Sequence, residues 1–165
     1  MEGTLEEQRR VLGITPFEAI RKWEAAGELE AVLRDCRVGN YTKNTLALWA
    51  VAHDVIDLSR ATPERLERYK GIGPKTSRFF ILWTRPWERY AALDIHILRW
   101  LNSQGIRAPK TTPKGKRYYE LEQEFLRLAD EAGLTPRELD YKIWCEYAGR
   151  TQEDAGYEAA TDLLG

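Results

Sequence analysis

Thiol chemistry is almost missing from this chain: 165 residues carry two cysteines, Cys36 and Cys145, far apart in sequence. Two are too few for a disulfide framework or for a four-cysteine metal or iron–sulfur site. Both are expected as buried thiols. No apolar run approaches the roughly 20 residues of a membrane span. The opening MEGTLEEQRR lacks the layout of a secretory signal. A cytoplasmic protein without a membrane partner is expected, and a monomer. Acidic residues are missing from one stretch, residues 95–119, where Arg99, Arg107, Lys110, Lys114, Lys116 and Arg117 all fall. The formal net charge is −1 because acids gather elsewhere, at Glu2, Glu6 and Glu7 and at Glu153, Asp154, Glu158 and Asp162. A basic face on a near-neutral protein follows, and with it an anionic partner, although a solvated lysine-rich loop has the same composition.

Alternating strand patterns and internal repeats are also absent, apart from a recurring Thr-Pro pair. Threonine caps a helix and proline suits its first turn, so Thr15-Pro16, Thr62-Pro63 and Thr135-Pro136 predict three helix starts. Glu18 and Glu138 complete capping boxes at two of them. The spacing of starts, stops and apolar residues predicts helices near 4–12, 16–26, 28–37, 42–59, 63–70, 74–84, 95–104, 114–132 and 136–148, an all-α class. Within 41–58, Leu46, Trp49, Ala50, His53 and Ile56 recur at helical spacing and are expected to bury one face. Residues 106–116, with two prolines and no apolar period, read as a loop. Residues 1–150 are expected to form one helical domain of two lobes, followed by an acidic tail, 151–165, of no assigned role.

The stretch YKGIGPKTSRFF, residues 69–80, turns the chain on Gly-Ile-Gly between two helical segments. Gly71 and Gly73 tolerate positive φ, and Pro74 suits the first turn of the next helix. A helix start offers unpaired N–H groups and partial positive charge. With Lys75 beside it, the hairpin reads as a grip on a nucleic-acid backbone made by Gly71, Ile72, Gly73, Lys75 and Thr76. Binding alone would satisfy this pattern. Asp94, nineteen positions after Lys75, follows an apolar entry in YAALDIHILRWL and opens a new helix.

GIGPKTS resembles the helix-hairpin-helix of DNA-backbone binders. Lys75 and Asp94, at about this spacing, are similar to the catalytic pair of the helix-hairpin-helix DNA glycosylase superfamily, to which endonuclease III belongs. LDIHILRWL, the lysine-rich loop and RYYELEQEFLRLADEAGLTPRELDYKIWCEYAGR resemble the small second 8-oxoguanine DNA glycosylase family of archaea and some bacteria, over residues 38–149. The resemblance implies a two-lobed all-α glycosylase fold with the hairpin at about 63–84. It implies excision of a modified base from DNA, with Lys75 as nucleophile and AP-lyase group and Asp94 as catalytic carboxylate. It also implies a base pocket near Asp140 and Trp144, and a potassium or sodium ion bridged by hairpin carbonyls to phosphate. The chain before the hairpin is shorter than in those relatives, which predicts a more open pocket, and their carboxy-terminal lysine has no counterpart. With two cysteines, no iron–sulfur cluster is expected, and no other cofactor.

The chemistry suits these residue types. Breaking an N-glycosidic bond develops positive charge at the sugar C1′, which an ionised carboxylate stabilises. A lysine attacks C1′ only as the neutral amine, which against a reference value of about 10.4 requires desolvation or a neighbouring cation. The target base must leave the stack and be held by aromatic groups, for which Trp23, Trp49, Trp83, Trp87, Trp100 and Trp144 are candidates as a class. Purely structural readings stand beside each role: Lys75 as a phosphate contact, Asp94 as a helix cap worth about 1 kcal/mol, Asp140 as a surface or capping group, and Trp144 as core. His53 and His96 read as packing residues. Two further functions fit the same residues. One is excision of a bulky hypermodified pyrimidine, such as a glucosylated base of phage DNA, in antiviral defence. The other is a non-catalytic DNA-binding module.

Overall fold

The computed structural model describes residues 15–148, and every regular element among them is helical. The elements are α1 (Pro16–Ala25), α2 (Leu29–Asp35), α3 (Tyr41–Ala52), α4 (Pro63–Leu66), α5 (Pro74–Thr84), α6 (Ile95–Ser103), α7 (Lys116–Glu131) and α8 (Pro136–Ala148). No described helix is long and apolar enough to cross a membrane. The expected helix at 4–12 and the acidic tail lie outside the described residues. The chain divides into two compact units at Gly73 and Pro74. The expected hairpin spans that junction, with α4 and the glycine turn in the first unit and α5 in the second.

The Thr-Pro signals work through local chemistry. Thr15 and Glu18 form a complete capping box: Thr15 N donates to Glu18 Oε2 at 2.6 Å and Glu18 N to Thr15 Oγ1 at 3.3 Å. Thr135 and Glu138 repeat the exchange at 2.7 and 3.2 Å. Thr62 Oγ1 accepts from Arg65 N at 3.3 Å.

In the first unit α1, α2 and α3 pack around Ile20, Leu29, Leu33 and Ala52, with Phe17, Trp23, Tyr41 and Leu48 against them. Three expectations fail here. The helix read at 42–59 ends at Ala52. Beyond it Asp54 turns aside, and its Oδ2 accepts from Arg65 Nη2 at 2.5 Å and from Tyr69 Oη at 2.6 Å. The buried face of α3 is Ala47, Val51 and Ala52, whereas Trp49 and His53 face out. A helix apolar nearly all round does not tell which stripe is inside. Finally, α4 stops at Leu66, and residues 67–71 continue as turns up to Gly71.

The second unit has the larger core: Leu93, Ile97, Leu98, Leu101, Tyr118, Leu121, Phe125 and Ile143 are all buried. Helix α8 packs against α5, α6 and α7. The unit is thus built around α8, the helix that carries Asp140 and Trp144. Cys36 and Cys145, expected as buried, are both half-buried.

Candidate active site

The glycine turn is fixed from within the first unit. Gly71 has φ +102°, and a Cβ there would come within 2.3 Å of the Lys43 carbonyl oxygen on α3, so only glycine fits. Gly73 is different: its φ is not positive, and nothing lies within 4 Å of the place a Cβ would occupy. Its lack of a side chain leaves the backbone open to approach from outside. Ile72 and Gly73 are half-buried and Thr76 is exposed.

Pro74 opens α5 and Lys75 follows in its first turn. Lys75, Phe79 and Trp83 succeed one another at intervals of four and share a face. The Lys75 Nζ lies 4.9 Å from the Phe79 ring centroid, and the Phe79 and Trp83 centroids are 5.7 Å apart. Trp83 in turn meets Tyr141 of α8 edge-on at 6.2 Å and has the Arg137 guanidinium 4.9 Å from its ring. Phe79 is 42% exposed despite its size. An aromatic surface with an ammonium at one end results.

Asp94 caps α6. Its Oδ1 accepts from His96 N at 2.8 Å and Ile97 N at 3.0 Å, so the capping reading is correct as local structure. Both bonds fall on one oxygen. Oδ2 has no hydrogen-bond partner among the described residues. His96, two residues on, is a half-buried residue of α6.

What delivers Asp94 is a buried polar network that the sequence did not predict. Arg78 of α5 donates from Nε to Oε1 of Glu122 on α7 at 2.9 Å, and the same oxygen accepts from Ala91 N at 3.0 Å. The two side chains are 1% and 5% exposed. Tyr118, one turn before Glu122, accepts from Leu93 N at 3.2 Å and donates to Ala91 O at 2.7 Å, with Pro74 O a longer acceptor at 3.3 Å. Thr112 Oγ1 donates to Leu93 O at 2.9 Å. The extended segment before Asp94 is therefore held on both edges, and Tyr118 ties it to the residue preceding Lys75. The available signal was an Arg on the inner face of α5 and a Glu in register with Tyr118, Leu121 and Phe125 on α7. Polar residues at core positions imply partners.

Asp140 is not the surface or capping group that stood as the alternative to a base-pocket role: it is 7% exposed, on the inner side of α8. Burial first, and then the negative charge of Asp94, push its carboxyl up to about 7, against the opposing pull of the Lys75 ammonium. The charges of Asp94 and Lys75 thus both reach Asp140, although the three residues come from three elements and no hydrogen bond or ion pair joins them. Trp144, one turn on, is half-buried.

The remaining candidates sort by exposure. Trp23 and Trp100 pack against the two cores, Trp100 with its ring centroid 6.0 Å from that of Phe125, and neither is placed to hold a base. Trp87 and Trp49 are 70% and 45% exposed. Lys110 and Lys114 are exposed on the loop. Helix α7 begins at Lys116 rather than 114, so Lys116 and Arg117 occupy its first turn, and both pair with Glu120, at 3.8 and 2.9 Å. Arg117 also donates to Arg107 O, and Arg107, Ala108, Pro109 and Arg117 line an open groove of about 460 Å³. Among the described residues no group of three or more His, Cys, Asp or Glu side chains is placed to hold a metal ion. No protein-family model matches the chain, and no solved structure matches it with significance.

Proposed function

We propose that this protein is a helix-hairpin-helix DNA glycosylase with AP-lyase activity, acting on a base flipped out of the duplex. One observation carries the reading: the Lys75 ammonium rests against an exposed aromatic surface, in the same unit as Asp94, a helix-capping carboxylate with an uncommitted oxygen, and the charges of both act on the buried Asp140 carboxyl. A structural ion pair would engage the lysine directly. Here Lys75 rests against the Phe79 ring.

In this reading the groove at Arg107 and Arg117 and the open backbone at Gly73 meet phosphates. The extrahelical base lies against Phe79, Trp83 and Trp144. Positive charge developing at C1′ faces Asp94, whose position is fixed before the reaction by Glu122, Tyr118 and Thr112, so little reorganisation is needed. The neutral Lys75 amine bonds to C1′ as the glycosidic bond breaks and its electron pair leaves with the base. Ring opening then gives an imine.

The test is to incubate the protein with duplexes carrying different modified bases, identify released base by mass spectrometry, and reduce with borohydride. The expected result is a released base and a covalent adduct with wild-type protein, and no adduct with Lys75→Gln. DNA binding without release from any duplex in the panel would favour a binding module. Equal trapping of Lys75→Gln would remove Lys75 as nucleophile.

A further inference from the structure

We propose that Tyr118 is a positioning residue for Lys75 and Asp94 together: its hydroxyl joins the start of α5, which carries the lysine, to the segment that delivers the aspartate. The inference rests on the glycosylase and lyase reading above. Tyr118 is 1% exposed on α7, and a buried hydroxyl needs partners. Its partners are three backbone groups beside the two residues of interest. The oxygen accepts from Leu93 N, immediately before Asp94, at 3.2 Å, and it faces the carbonyl oxygens of Ala91 at 2.7 Å and of Pro74, immediately before Lys75, at 3.3 Å. A hydroxyl has one proton to give, so it donates to one of these carbonyls at a time. Neither is stranded meanwhile: Ala91 O also accepts from Leu93 N at 3.1 Å, and Pro74 O from Ser77 Oγ at 3.0 Å.

The segment before Asp94 depends on being held in this way. It belongs to no helix, and its own bonds, Leu93 N to Ala91 O at 3.1 Å and Asp94 N to Ala92 O at 2.6 Å, close three-residue turns and no regular ladder. A second link runs parallel to the first. The Arg78 guanidinium, 4.6 Å from the Tyr118 ring centroid, donates from Nη1 to Pro74 O at 3.4 Å and from Nε to Glu122 Oε1 at 2.9 Å, and that oxygen accepts from Ala91 N at 3.0 Å. Tyr118 directly, and Arg78 through Glu122, thus both connect the Pro74 carbonyl with the Ala91 segment. Only the tyrosine can lose its link without leaving a buried charge uncompensated. Phenylalanine keeps the ring over Arg78 and deletes the hydroxyl alone.

The experiment uses the whole protein and a duplex containing one abasic site, which does not require the excised base to be known. Borohydride-trapped adduct is followed with protein in excess, giving a maximal rate and the protein concentration at half that rate. A variant that is merely less folded reaches the same maximal rate at a higher concentration, whereas a misplaced lysine reacts slowly even at saturation. Tyr118→Phe is expected to lower the maximal rate roughly 10-fold or more and to leave the half-rate concentration unchanged. Phe125→Leu, a buried change on the same helix that removes no hydrogen bond to either segment, is expected to lower the melting temperature and keep the maximal rate. An unchanged maximal rate in Tyr118→Phe would overturn the positioning role and leave the lyase reading standing. An equal fall in Phe125→Leu would also overturn it, since any loosening of α7 would then suffice. No adduct with wild-type protein would overturn the lyase reading, and the positioning role with it. Without any DNA, amide hydrogen exchange reads the link itself: in Tyr118→Phe the Leu93 amide and the amide that closes the first turn of α5 should both exchange faster, while those of α8 hold. Faster exchange at Leu93 alone would detach the hydroxyl from Pro74 and end the proposal.

Discussion

Arg78 and Glu122 form a buried ion pair, 2.9 Å from Nε to Oε1, whose acceptor oxygen also holds the amide of Ala91. The pair fixes the entry to Asp94 from two elements at once. Because each charge is out of water, removing one partner leaves the other uncompensated. Glu122→Leu should cost roughly 3–5 kcal/mol. The double variant Arg78→Met with Glu122→Leu should recover much of this, which urea denaturation of both proteins measures. A single variant no less stable than the double would mean that the charges do not depend on each other.

Asp94 has two separable jobs, capping and charge. Asparagine caps a helix about as well as aspartate, so Asp94→Asn should change stability by no more than a few tenths of a kcal/mol. It removes the carboxylate facing C1′, and single-turnover base release should fall by orders of magnitude while DNA affinity holds or rises. Retained release at an unchanged melting temperature would leave Asp94 a cap alone.

Asp140 should make stability depend on pH. Its folded value, about 7, lies above the ordinary aspartate value of 3.8, so between them the folded protein holds a proton that the unfolded chain has released. The stability this proton contributes is lost as pH rises through that window. Asp140→Asn cannot titrate and should gain on wild type as pH rises, by on the order of a few kcal/mol above neutrality. Denaturant midpoints that run parallel in the two proteins between about pH 4 and 8 would contradict the assigned burial.

The two hairpin glycines should respond oppositely to alanine. At Gly71 a Cβ meets the Lys43 carbonyl oxygen at 2.3 Å and φ is +102°, so Gly71→Ala should lose about 2 kcal/mol or more. At Gly73 the space is open, and Gly73→Ala should stay within about 0.5 kcal/mol of wild type. Under the DNA-binding reading Gly73→Ala weakens duplex affinity all the same, because the new methyl group stands where phosphate approaches. Normal affinity would place the contact elsewhere.

The basic loop should report itself through salt. Each true phosphate contact contributes roughly 0.9 to the slope of log affinity against log salt on duplex DNA. Neutral substitution of Lys114, Lys116 and Arg117 should flatten that slope. An unchanged slope would leave Lys116 and Arg117 as partners of Glu120 and the loop as solvated surface.

The sequence by itself determined what short-range chemistry decides. Thr15, Thr62 and Thr135 start their helices because a threonine oxygen and an amide three residues on need only each other. Gly71 turns the chain, and Asp94 caps α6 through amides two and three residues away, by the same local logic. The all-helical class followed from these. Long-range packing decided the rest. Which stripe of α3 lies inside could not be read, since α3 is apolar on several faces and the choice belongs to α1 and α2. Arg78, Tyr118 and Glu122 look like surface residues in sequence, and they became the frame of the site because α5, α7 and the segment at Ala91 close around them. Asp140 changed most, from a plain polar residue of a helix to a buried carboxyl. Its environment is set first by burial and then by the charges of Asp94 and Lys75, which reach it through the packing of α8 on α5 and α6 and not through closeness along the chain.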